Sequence, residues 1–377
     1  MCAENSSQNL KKIATLSFQH AFNYGAVFQV AALRHVIEKL GAECDIIDYR
    51  CPAIDNQYSF RPIRINRLLF ANIRANLVLL PFIKTKKRNF SQWMGNYKKT
   101  EVLNKEQLHT LNNRYDKFIV GSDQVWNLKC QGHDSAFFLD FVEDETKRVA
   151  YAASFGTFDV EKEDEKFYNE YIARFSAISV RETRGIDLVK SLANKTAVTC
   201  MDPVLLVGRE YWVSKSDCRN LPHHDYIFVY QLGHGGHLPS YVKDLKRATK
   251  LKVIYVTGHL GNMFHYSFCD KNESSVSPER FLALLSHAKY VVTNSFHASV
   301  LSILFERQFL VVSKGGEKAT YNTRIYNLLA DYNLTDCIVE DFCHSHMNIQ
   351  RNYKDVFRLL EQTADQSLSF IKNSLNI

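Results

Sequence analysis

Short apolar runs alternate with segments of helical period along this 377-residue chain, in two separate series, and that alternation limits the fold more than any other feature. The first series has runs at 13–17, 43–48, 117–120, 148–152, 177–180 and 197–200, with apolar residues at helical spacing over 26–40 and over 183–192. A strand covered on both faces reads as an unbroken apolar run, and joining two such strands in parallel takes a crossover of about a dozen residues, usually a helix. Gly41 stops the first helix. After a polar stretch ending near Asp225 the pattern restarts, with runs at 226–230, 252–256, 290–292 and 308–312. Helices are expected near 239–249, from Ser277 and Pro278, through His297, and from about Asn322. Pro278 suits a first helical turn, where its missing N–H would be unpaired anyway. These spacings predict an α/β fold of two doubly wound parallel-sheet, Rossmann-like domains facing across a cleft. We divide the chain into residues 1–205, residues 206–350 and a closing helix at 351–377, in keeping with a length that suggests two domains. Ligands of doubly wound sheets bind beyond the carboxyl ends of the strands, so the turns after strands are where chemistry is expected.

Composition narrows the class. The start is polar, and nowhere does an apolar run reach the ~18 residues of a membrane span, so a cytoplasmic protein is expected. The nine cysteines stand singly, without a C-x-x-C pair, which fits reduced thiols and argues against a disulfide framework or zinc cluster. His223 with His224, and His344 with His346, lie in polar loop-like stretches, and no metal is expected. The net charge of +7 is concentrated in residues 61–99, a basic amphipathic insertion at about 60–100 in which Arg64, Arg67 and Arg74 interleave with apolar residues ahead of Lys84, Lys86, Lys87 and Arg88. Two readings stand: a basic amphipathic segment on an anionic membrane surface, or a helix covering the domain core with a solvated basic edge. No zinc finger, aromatic RNA-binding motif or helix-turn-helix supports a nucleic-acid partner.

The candidate chemistry sits at strand ends. In the run 289–305 a strand ends in Thr293, Asn294 and Ser295 and passes into a helix with His297 at the turn. First-turn N–H groups and the helix dipole favour an anion there, and an imidazole can protonate what binds; alternatively Asn294 or Ser295 only caps the helix. In the run 116–127, Asp123, Gln124, Trp126 and Asn127 follow a strand. A carboxylate, two amides and an indole suit a sugar, with Asp123 as the base for a hydroxyl, unless Asp123 caps a turn and Trp126 fills an interface. Asn23 and Tyr24 in the first βα turn join this acceptor side. Arg181 ends another strand and offers bidentate recognition of carboxylate or phosphate, or a surface pair with Glu182. Arg324 stands at a helix start, and Lys314 before Gly315 and Gly316 adds a weaker phosphate signal. There is no Walker sequence and no G-x-G-x-x-G.

Taken together these runs resemble the polysaccharide pyruvyl transferase family. The matching pieces are FNYGAVFQ at 22–29, DIIDY at 45–49, FIVGSDQVWN at 118–127, YAASFG at 151–156, SVRE at 179–182, DPVLL at 202–206 and TNSFHA at 293–298. The resemblance implies the architecture of two-domain GT-B glycosyltransferases and transfer of the enolpyruvyl group of phosphoenolpyruvate to a sugar as a ketal, without a cofactor. It places donor binding at Arg181 and His297. Characterised relatives carry Arg two residues before this histidine, where this chain has Ser295, so Arg324 or Lys314 is expected to supply the missing charge. His297 is then the expected proton donor and Asp123 the base, with Asn294 and Ser295 on the donor side. The acceptor is expected to be a lipid-linked oligosaccharide if the basic segment touches the membrane. Two other functions stay open: a nucleotide-sugar-dependent glycosyltransferase, for which Glu279 is the tempting ribose carboxylate, and a non-catalytic sugar or lipid-carrier binding protein.

Overall fold

The computed structural model describes residues 10–57, 69–233, 235–258, 268–312, 323–349 and 351–377, with side chains left out over 69–79. The first half builds β1 (Lys12–Leu16), β2 (Glu43–Tyr49), β3 (Lys99–Leu103), β4 (Lys117–Gly121), β5 (Arg148–Ala153), β6 (Ala177–Val180) and β7 (Val198–Thr199). The second builds β8 (Tyr226–Gln231), β9 (Lys252–Thr257), β10 (Lys271–Asn272), β11 (Tyr290–Thr293), β12 (Gln308–Val312) and β13 (Ile338–Val339). The strands form two sheets, ordered β3-β2-β1-β4-β5-β6-β7 and β10-β9-β8-β11-β12-β13. Pairing is parallel: Ile13 lies beside Cys44 on one side and Lys117 on the other, and Val291 lies between Phe228 and Phe309.

Both orders reverse at their first strand. β1 has β2 on one side and β4 on the other, and β8 has β9 and β11. Chain connections therefore leave in opposite directions at these points, opening a crevice beyond the carboxyl ends of β1 and β4 in one sheet and of β8 and β11 in the other. The strands that went unread in the sequence are β3, β10 and β13, all at or next to sheet margins. Edge strands are covered on fewer sides, so their apolar signal is weak: β3 alternates irregularly and the other two span two residues each.

The helix Tyr24–Lys39 joins the halves. Asn23 caps it, its side chain accepting from the Gly25 N–H. The helix is buried nearly all round, because Leu33, Val36 and Ile37 pack on the first sheet while Tyr24, Val27 and Phe28 share a core with the second domain. Tyr24 stacks on Phe281 at 4.2 Å, and Phe28 meets Trp93 and Trp212 edge-on. Such aromatic pairs add about 0.5–1.5 kcal/mol each beyond the area they bury, so the interface beside the crevice is firm.

The basic segment resolves in part. Residues 58–68 lie outside the described residues, and the helix Leu69–Gly95 follows. Its later turns bury Ile83, Phe90, Trp93 and Met94. Lys86, expected on a solvated edge, is 3% exposed and donates to the Thr257 carbonyl at 3.1 Å, with its ammonium 5.3 Å from the Tyr24 ring centre. Burial pulls its pKa down to about 7. The solvated edge therefore consists of Lys84 and Arg88, with Lys87 half-buried beside Phe22. The last helix, Tyr353–Leu375, returns to the first domain, where Ile371 and Leu375 pack with Ile13 and Leu33, and Ser367 accepts from the Met201 N–H at 2.9 Å.

Candidate active site

Four turns meet in the crevice. Asn23 follows β1, Asp123, Gln124 and Asn127 follow β4, Leu232 and Gly233 follow β8, and Asn294, Ser295 and His297 follow β11; with Arg324 they line a cavity of about 690 Å³. The topology decides this meeting: each turn lies at the carboxyl end of a strand flanking one of the two reversal points.

His297 sits in the first turn of the helix Phe296–Leu304. Ser295 is the cap, accepting weakly from the Ala298 N–H at 3.4 Å while its own N–H donates to Thr293 Oγ1 at 3.0 Å. Asn294 is occupied by the neighbouring turn, accepting from Leu232 N–H at 2.8 Å and donating to Leu232 O at 2.9 Å. Its amide fixes the two strand ends relative to each other while the residue borders the cavity. The His297 ring lies against Gly25, where an added Cβ would stand 2.1 Å from Nδ1. Only glycine allows the imidazole this close to the first helix.

On the other side of the ring, His297 Nε2 is 3.4 Å from Asp202 Oδ2. This is ion-pair distance, but the approach is out of line for a hydrogen bond, and Nε2 is otherwise buried without a partner. Asp202 is 1% exposed in its side chain and gathers more donors: Arg181 Nη1 at 3.0 Å, Ser122 Oγ at 3.1 Å and the Val204 N–H at 2.9 Å. Burial works against its charge, yet His297, Arg181 and the Val204 N–H outweigh it and hold the carboxyl well below the usual range. Asp202 escaped notice as a site residue because Asp before Pro at a helix start reads as a cap, which it also is. Its place within the run 202–206 was the one available signal.

Arg181 is 4% exposed and makes no surface pair. Its Nε donates to Glu182 at 3.0 Å, its Nη1 lies 3.9 Å from Asp123, and its plane stacks over the Phe296 ring at 4.2 Å. Burial opposes the charge, but Glu182, Asp202 and Asp123 together raise the pKa further. Arg181 borders a separate cavity of about 320 Å³ behind Phe296, and its buried Nη2 has no partner. Arg324 borders both cavities. It approaches the same Asp123 oxygen at 3.8 Å and, with the Gln124 amide oxygen turned toward it, donates to Gln124 at 3.1 Å from both terminal nitrogens. Burial first, and then the neighbouring Arg181, lower its pKa. Asp123 thus stands between two guanidiniums, on backbone at φ +67, a left-handed conformation that few residue types adopt as readily as Asp and Asn.

Gln124 and Asn127 pack over Gly156, where a Cβ would come within 2.1 Å of the Gln124 side-chain amide and φ is +70. Asn127 also caps a short helix, accepting from Lys129 N–H at 3.1 Å. Two members of the expected acceptor set are displaced. Trp126 is fully buried, stacked on Phe138 at 5.7 Å and edged by Phe155 and Phe175, so its indole belongs to the first domain's core. Tyr24 is equally buried and donates its hydroxyl to Val276 O at 2.9 Å across the interface. Both are large enough that the core gains more from them than the crevice would. Lys314 lies outside the described residues. Glu279 does not border the cavity. Cys130 does, with its thiol pushed up to about 11 by burial and Asp123, which leaves it protonated at neutral pH. Among the described residues no group of three or more His, Cys, Asp or Glu is placed to hold a metal ion, and no helix is long and apolar enough to cross a membrane.

Comparison with known proteins agrees with the architecture. The UDP-N-acetylglucosamine 2-epimerase from Rickettsia bellii shares 10% identity over 97% of each chain, with a TM-score of 0.50. UDP-GlcNAc 2-epimerase from Neisseria meningitidis, solved with UDP-GlcNAc, shares 8% identity over 98% of this chain and 94% of its own, at a TM-score of 0.48. The spinosyn rhamnosyltransferase SpnG shares 10% identity over 97% and 100%, at 0.46. At such identity only the fold is in common, the GT-B arrangement of two facing Rossmann-like domains. No curated protein matches the chain by sequence. A family model does: residues 23–314, which carry Asn23, Asp123, Gln124, Arg181, Asp202 and His297, match that of polysaccharide pyruvyl transferase, Arg324 lying ten positions beyond, and the chain belongs to that family.

Proposed function

We propose that the protein transfers the enolpyruvyl group of phosphoenolpyruvate to a sugar of a polysaccharide precursor, closing a cyclic pyruvate ketal and releasing phosphate. The observation that carries this reading is the meeting of His297, Asp123 and Arg324 in one cavity of a chain from this family. The donor is already activated, and the reaction needs a proton for its methylene carbon, a base for a hydroxyl and cations for its anionic groups. His297 gives the proton. With Nε2 turned to Asp202, the nitrogen left for substrate is Nδ1, beside Gly25. A sugar hydroxyl, relieved of its proton by Asp123, bonds to the donor's C2. The C2–O bond to phosphate then breaks, and a second hydroxyl of the same sugar closes the ring. Of the two hydroxyl protons lost, one ends on the new methyl group and one on phosphate. No cofactor enters the scheme.

Around this point three carboxylates, Asp123, Glu182 and Asp202, face two guanidiniums, and Ser295 stands where relatives have a third. A trianionic donor in the cavity therefore has to compete with Asp123 for Arg324, while Arg181 borders the cavity behind Phe296. The 3.8 and 3.9 Å separations are loose for ion pairs, so donor binding would free Asp123 as it becomes needed as a base. We assign the missing charge to Arg324, with Lys314 as the other candidate. We further place the acceptor on a lipid carrier at the cytoplasmic leaflet, approached with Lys84 and Arg88 exposed on the helix Leu69–Gly95.

The test is phosphate release from phosphoenolpyruvate by the purified protein against lipid-linked and simple sugar acceptors, with mass spectrometry for the added pyruvyl group. Acceptor-dependent release with that mass gain is expected. Silence across the panel, with no thermal protection by phosphoenolpyruvate, would remove the reading.

A further inference from the structure

With Trp126 in the core, the cavity lacks the aromatic face expected for a sugar, yet a different aromatic lines it. Phe158 is 52% exposed, the most exposed aromatic among the described residues, and borders the same cavity as Asp123 and His297. A single exposed phenylalanine means little by itself. This one is held in place: Arg184 donates from Nε to the Phe158 carbonyl at 3.0 Å and from Nη2 to Asp159 at 2.6 Å, is tied to Asp187 at 3.3 Å, and sets its guanidinium 4.9 Å from the ring centre. The loop is thereby fixed before any ligand arrives, and one side of the ring is already occupied by the cation. The wall around it is polar. Asp123, Asp159, Glu161 and Asp164 line the cavity, each facing a basic side chain: Arg324, Arg184, Lys129 and His133 in turn.

We infer that the loop 156–161 forms an acceptor subsite for a pyranose, with Phe158 as the face on which the sugar's C–H side stacks. This rests on the function proposed above. The carboxylates accept hydrogen bonds from the sugar's hydroxyls while the ring covers its apolar side. Stacking on this ring is worth about tenfold in affinity.

The subsite can be read without turnover. The native tryptophans Trp93, Trp126 and Trp212 are at most 1% exposed, so in a Phe158→Trp variant the new indole is the solvent-exposed emitter. Methyl pyranosides and oligosaccharides should shift its emission saturably. Phe158→Ala should raise the acceptor KM in phosphate release about tenfold while kcat stays within threefold and the thermal midpoint is unchanged. Emission indifferent to every sugar tried, or an unchanged KM in the Ala variant, would overturn the inference. Sugar-dependent emission without phosphate release would sink the pyruvyl transfer reading and leave the subsite standing; release with unresponsive emission would do the reverse.

Discussion

Gly25→Ala isolates the geometry of His297 from the stability of the fold. The added Cβ would sit 2.1 Å from His297 Nδ1, 2.6 Å from Cγ and 2.9 Å from Cε1, where an ordinary contact needs at least 3.4 Å. The shortfall of more than an ångström against a ring, not a flexible chain end, forces the imidazole to move. Two energies oppose each other in stability. Overpacking costs about 1–3 kcal/mol, while alanine in place of glycine in the first turn of a helix returns up to about 1 kcal/mol. The net loss should therefore stay within about 2 kcal/mol, a modest shift of the denaturation midpoint. Catalysis has no such offset: a displacement of about an ångström in a reacting group costs on the order of 100-fold in turnover. We expect acceptor-dependent phosphate release to fall by that factor in a protein that unfolds almost normally. His297→Ala and the double variant complete a cycle, and because both changes act on one imidazole the double variant should be no slower than His297→Ala alone. Turnover of Gly25→Ala within threefold of the native value would refute the placement of His297 as the reacting group, and a further loss in the double variant would show that Gly25 acts on something else.

Asp202→Asn keeps an oxygen for the Val204 N–H but removes the charge from Arg181 and His297 and should cost about 3 kcal/mol, as expected for breaking a buried ion pair. Because the folded-state pKa of Asp202 lies below its unfolded value, that contribution is complete above about pH 5 and declines as pH falls toward the folded value. Denaturation of native and variant protein should thus differ most at neutral pH and converge below about pH 4; parallel curves would refute the assignment. Lys86 has linkage of the same sign in a higher pH window. Its folded pKa of about 7 is lower than its unfolded value, so the unfolded chain holds more protons and stability rises with pH above neutrality. Lys86→Met should stabilise the protein at pH 7 and flatten that rise, and a destabilised variant with the native slope would show the amine to be charged in place. Charge reversal at Lys84 and Arg88 should weaken binding to anionic vesicles in low salt, and unchanged binding would remove the membrane from the proposal.

Much of the frame was legible because it follows from chain chemistry. Strands covered on both faces, such as 226–230 and 308–312, must be continuously apolar, and their carboxyl ends then announce where polar residues of the next turn will gather. His297, Asp123 and Arg324 were found in this way, each at or beside such a turn. What misled was size. Trp126 and Tyr24 stand beside site residues in sequence, but a strand or helix end presents neighbouring positions to opposite sides, and both aromatics turn inward to Phe138 and Phe281. Lys86 reads as one of four equivalent cations, yet the helix it occupies packs between the domains and takes it inside.

Sequence by itself determined the two parallel sheets, their order of elements and the family, since these rest on local periodicity and on residues close together in the chain. Tertiary structure alone decided that Asp202 joins Arg181 of its own domain to His297 of the other, that Asp123 lies between two guanidiniums, and that Phe158, not Trp126, faces the cavity. Those relations join residues from 21 to 201 positions apart, as the differences 202 − 181 and 324 − 123 show. No periodicity spans such separations; only the packing of the helix Tyr24–Lys39 between two cores brings the strand ends within reach of each other.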